Sequence, residues 1–184
     1  MSTEFKPFKA GDHRVHINPH AALQHGLPGS RIKDAVRAHV NRLCEPTDEL
    51  LIIEHRLDVP LGYDPVCDID PNMDVRYALD PDSKARRHNQ QPMPFVLADD
   101  DRVKTNDMSI YVKWINGRPD VVRAHYGTPY PPPPFASSAQ GWPGYDGDAP
   151  GVEGCLDFWR DCALFYHNPT LFYRMSNTKP NWLT

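Results

Sequence analysis

Two runs of β-forming residues, 108–115 and 121–126, meet across Asn116-Gly117. Asn-Gly suits a two-residue type I′ turn, because both central residues must take positive φ. The turn fixes a register. Ile115 faces Arg118, Lys113 faces Asp120 as an opposite-charge pair, Val112 faces Val121 and Tyr111 faces Val122. Carried on without a break, that register sets Arg123 and His125 beside Val121, opposite Ile110 and Met108. Pro119 has no N–H, so its nitrogen must face outward or the pairing begins after it.

Other elements are read around this hairpin. Residues 50–58 are short, β-branched and ended by Pro60 and Gly62, which predicts a strand. Alternation puts Ile53, His55 and Leu57 on one face of it. Ser30 is a good N-cap for a helix over 30–44, where Ile32, Ala35, Val36, His39, Val40 and Leu43 form one apolar stripe. A second helix is predicted over 152–166 from Val152, Cys155, Leu156, Trp159, Cys162, Ala163 and Tyr166. Asn168-Pro169 ends it and opens a third helix over 169–176. One helical turn near 73–79 and a short strand at 95–97 complete the set. The predicted fold is α+β: a small antiparallel sheet around the 108–126 hairpin, packed against the N-terminal helix and the C-terminal helices, with long Pro-rich loops.

A chain of 184 residues fits one domain, 1–184. Twenty prolines require much irregular chain, placed here in a partly irregular N-terminal arm (1–29), in 59–107 and in a Pro/Gly-rich loop (127–151). Apolar residues at 40% and charged residues at 24% match a soluble globular protein. The polar stretch 1–9 has no apolar core of a signal peptide, and no run is long enough to span a membrane. A cytoplasmic location follows as an expectation, with Cys44, Cys67, Cys155 and Cys162 as reduced thiols.

Charge is uneven along the chain. Residues 1–44 carry +4, residues 45–101 carry −9 and residues 102–184 carry +1. The acidic middle repels a nucleic-acid backbone, which argues against such a partner.

Histidine dominates the candidate chemistry. His13, His16, His20 and His25 crowd the basic end, and imidazole is the commonest transition-metal ligand. His13, His16 and His20 are therefore the metal candidates, with a divalent transition metal as the cofactor. Their spacing matches no known ligand pattern. His55, Arg123 and His125 stand on strand faces that otherwise read as apolar, where a polar group is costly unless paired or aimed at a ligand. They are the catalytic candidates. Asp68-x-Asp70-x-Asn72 starts like a calcium loop, but Met73 and Leu79 stand where Gly and Glu are needed. Residues 141–148, with glycines around Trp142 and Tyr145, resemble a lid.

Two functions compete. The first is a small enzyme using histidine acid/base or metal-assisted chemistry on an anionic small molecule. The second is a non-catalytic acidic adaptor that docks a basic protein partner.

Overall fold

The Asn116-Gly117 turn has φ of 52° and 76° at its two residues, the positive values of type I′. The structure, a computed structural model, describes residues 5–18, 26–43, 49–79, 91–132 and 150–184. The chain is a mostly-β α+β protein with two mixed sheets, one a curled half-barrel. It divides into two compact units, Met1–Asp64 with Lys104–Pro129, and Pro65–Val103 with Tyr130–Thr184.

The first unit holds a five-stranded sheet. Its strands are β1 (Phe8–Ala10), β2 (His13–Ile17), β3 (Leu51–Arg56), β7 (Asp107–Ile115) and β8 (Arg118–Tyr126), in the order β1-β2-β8-β7-β3. Strands β2 and β8 run parallel and the other neighbours antiparallel. One face is covered by helix α1 (Gly29–Ala38), which buries Ile32, Ala35 and Val36. They join Val15, Ile17, Ile53, Met108, Ile110, Val112, Val121 and Ala124 in one apolar cluster. Burying a side chain of this kind fully contributes about 1.5–3 kcal/mol, so this cluster is the main support of the unit.

The second unit holds β4 (Val66–Asp68), β5 (Arg76–Ala78), β6 (Met93–Leu97) and β9 (Cys162–Tyr166), in the order β4-β9-β6-β5. Strands β6 and β9 are parallel, and the outer pairs are antiparallel. Helix α2 (Pro150–Asp161) turns Trp159 into a cluster with Met93, Phe95, Tyr130 and Leu183. The indole N–H of Trp159 donates to the carbonyl of Pro132 at 3.2 Å. Helix α3 (Pro169–Phe172) opens on Asn168, whose side chain accepts from the N–H groups of Thr170 and Leu171.

Several expectations need correction. The single antiparallel sheet is two mixed sheets, and the C-terminal helices belong with the second of them. The chain before Gly29, read as irregular, supplies β1 and β2. Helix α1 is shorter than 30–44. Pro28 is its N-cap, Ser30 lies inside its first turn, and a 3₁₀ turn (Val40–Arg42) follows it. The helix predicted over 152–166 stops at Asp161, and Cys162, Ala163 and Tyr166 belong to β9. A strand flanked on both sides reads as an unbroken apolar run, which periodicity cannot tell from a buried helix. Residues 76–78, read as part of a helical turn, pair with β6. The third helix ends at Phe172 rather than 176. Among the described residues, no helix is long and apolar enough to cross a membrane.

Candidate functional site

The hairpin departs from its predicted register at one residue. Ile115 faces Arg118, Lys113 faces Asp120 and Val112 faces Val121, as the turn requires. A bulge follows between Tyr111 and Val112, where Val122 is the extra residue. Beyond it Tyr111 faces Arg123, Ser109 faces His125 and Met108 faces Tyr126. A slip of one residue turns every later side chain to the other face. Arg123 and His125 therefore leave the face of Val121 and Ile110 and join Ser109 and Tyr111.

On that second face the polar groups satisfy one another. Ser109, Tyr111 and His125 are all buried. The Ser109 hydroxyl donates to the carbonyl of Gly127 at 2.8 Å. Nδ1 of His125 stands 2.8 Å from the carbonyl oxygen of Tyr126. A carbonyl only accepts, so Nδ1 carries the proton. In the neutral ring Nε2 is then an acceptor, and the Tyr111 hydroxyl, 3.0 Å away, donates to it. The guanidinium of Arg123 lies over the Tyr111 ring, 5.0 Å from its centre.

His55 lies elsewhere. It faces Met108 across the β3–β7 ladder, so it shares the α1 side of the sheet with Ile53. Its Nδ1 stands 3.3 Å from Nε2 of His39, the C-cap of α1, with the rings at 90°. Burial first and the His39 charge second push the His55 imidazole below its ordinary value, against a smaller upward pull from Asp58. The sheet thus brings Arg123 and His125 together around Tyr111 and sets His55 on the opposite face.

The metal candidates divide in the same way. His13 and His16 are three residues apart on β2, and an odd spacing on a strand puts them on opposite faces. His13 meets Trp114 edge-on at 5.3 Å. His20 and His25 lie outside the described residues, as do Cys44 and the lid candidate 141–148. Among the described residues, no group of three or more His, Cys, Asp or Glu could hold a metal ion. Asp70 serves its own turn: its carboxylate accepts from the Asn72 N–H at 2.8 Å.

Two thiols of the second unit, Cys155 and Cys162, are held toward their protonated form. Burial, and then the Asp68 carboxylate that accepts from Cys162 Sγ at 3.6 Å, push the Cys162 thiol up to about 12. Burial alone pushes Cys155 up.

An open hollow of about 320 Å³ lies on the β1–β2 hairpin, lined by Pro7, Phe8, Lys9, Asp12, His13 and Arg14. Lys9 and Arg14 are register partners and both are exposed. Like charges set directly opposite in a ladder are destabilising. The neighbouring Arg37 lies over the Phe8 ring at 5.3 Å and donates from Nε to the carbonyl of Lys9 at 3.4 Å. Sequence reasoning missed this group. The visible signal was the period-2 alternation of Phe8, Ala10, Val15 and Ile17, which leaves Lys9 and Arg14 on the outward positions of a short hairpin.

No family model matches the chain, and no curated protein matches it. A solved structure does. A conserved hypothetical protein of Toxoplasma gondii ME49 is similar over 89% of this chain and 98% of its own, with a TM-score of 0.50 and 12% identity. That likeness concerns the fold alone.

Proposed function

We propose that this chain binds a small polyanionic molecule, such as a phosphomonoester, on the β1–β2 hairpin. One observation carries the reading. Lys9 and Arg14 stand side by side in the ladder at the rim of the hollow, two like charges that an anion bridging them would reconcile. Acid/base catalysis by His55, Arg123 and His125 is not part of the proposal. The first lies across the sheet from the other two, and His125 is only 1% exposed.

The test is calorimetric titration with inorganic phosphate and with a phosphomonoester. Binding is expected to be saturable, to weaken with salt and to be lost in Lys9→Ala/Arg14→Ala. Binding unchanged in that double variant overturns the reading.

A second reading, a docking surface for a basic protein segment, draws on the second unit. Thirteen acidic against eight basic residues give it −5, while the first unit carries +1. The Ile69 N–H donates to the Asp161 carbonyl at 2.7 Å, which gathers Asp68 and Asp70 beside the end of α2. Salt-sensitive capture by a polylysine resin, lost in Asp68→Asn/Asp70→Asn, is the outcome that favours it.

A further inference from the structure

We propose that His39 and His55 form a two-histidine site for a borderline divalent transition cation, with Zn²⁺ as its simplest occupant. The site is separate from the anion hollow and does not depend on it. It also differs from the His13/His16/His20 set to which the sequence pointed.

The geometry of the ring nitrogens is the main support. Nε2 of His39 and Nδ1 of His55 are 3.3 Å apart. Two nitrogens bound to tetrahedral zinc at about 2.0–2.1 Å stand roughly 3.3–3.4 Å from each other. The two imidazoles are thus already spaced as one edge of a zinc coordination shell. Their rings are at 90°, and both residues are half-buried, leaving a solvent side for the water that completes the shell.

Two groups would offset the charge of a bound cation. His39 caps the C-terminus of α1, where the helix dipole is negative. Asp58 is near enough for its carboxylate to act on His55. The backbones that carry the pair are fixed independently of any metal. His39 N–H bonds the carbonyls of Ala35 and Val36, and His55 sits in the six-residue β3–β7 ladder. Binding would therefore require little ordering of the chain.

The proton balance is simple. In the neutral pair one ring nitrogen donates its hydrogen to the other. A cation between them needs both lone pairs, so that hydrogen moves through solvent to the far nitrogen of the same ring. No net proton is released when both rings start neutral. At acid pH imidazolium protons must leave, so affinity falls as pH is lowered.

The test uses the full chain and ZnCl₂. Thermal unfolding should show a saturable, Zn²⁺-dependent rise in Tm at pH 7.5 that is absent at pH 5. Either His39→Gln or His55→Gln should weaken binding by at least about tenfold, since the loss of a supporting group alone costs that much. His13→Gln and His16→Gln should leave it unchanged. A second readout needs no variant: ¹⁵N spectra of the wild-type histidine rings should report Zn²⁺ at His39 Nε2 and His55 Nδ1. Absence of a Zn²⁺ effect on these two nitrogens overturns the proposal. So does binding that survives both substitutions.

Discussion

Tyr111 and His125 meet, hydroxyl to imidazole at 3.0 Å, because Val122 drops out of the ladder between their two strands. The pair is a product of the bulge. The unbroken register would have paired Tyr111 with Val122 and set His125 among the apolar residues of the other face.

That contact makes Tyr111→Phe informative. The variant removes only the hydroxyl that His125 Nε2 accepts from, in a buried setting. Loss of one buried hydrogen bond costs about 0.5–1.5 kcal/mol. A lowered midpoint in urea unfolding, with an unchanged slope, is the expected result. An unchanged midpoint would mean that the bond contributes nothing net.

Deletion of Val122 should leave the fold intact. Val121 faces Val112 and Arg123 faces Tyr111, so without the bulge residue the two become consecutive members of a regular ladder, and Arg123 and His125 keep the face of Tyr111 and Ser109. Circular dichroism and gel filtration should report a folded protein. Loss of the folded state would mean that the bulge itself, rather than the register beyond it, is required.

Stability should fall as the solution is acidified through the histidine range. The folded His55 titrates below its ordinary value of 6.5, so the unfolded chain takes up that proton first. The contribution is complete above about pH 6.5, where both states are neutral, and is lost as pH drops toward the folded value. Urea midpoints measured between pH 8 and pH 5 should therefore fall less steeply in His55→Gln than in the wild type.

Cys162 should resist alkylation in the folded chain. Its thiol is pushed up to about 12, so almost no thiolate exists at pH 8. Iodoacetamide followed by peptide mass spectrometry should find Cys162 unmodified in the native protein and labelled once urea is added.

Local features were legible and long-range ones were not. The Asn116-Gly117 turn, the strand at 51–56 and the Asn168 cap rest on residues within a few positions of each other, so the residues themselves announce them. The bulge at Val122 has no such mark, because the residues on either side suit a strand in both registers. Strands β1 and β2 escaped notice because the neighbour that completes β2 is β8, a hundred residues away. Strand β9 was hidden by its continuous apolar run. His55 was rightly singled out as a polar group on an inward face. His39 was read only as a core histidine of the helix, and the link between them needed the knowledge that α1 packs on the β3 face. The strand at 13–17 separates His13 from His16, which no ligand spacing in the sequence reveals.

The parallel contact of β2 with β8, Ile17 beside Val121, has a temporal consequence. As the chain leaves the ribosome, β2 lacks its β8 neighbour until more than a hundred further residues have been made. Closing so large a loop is slow, and the exposed edge of β2 is open to wrong pairings while it waits. Newly made amino-terminal fragments should thus be the aggregation-prone species of this protein. Truncations ending before residue 118 should be insoluble, even though they contain all of α1.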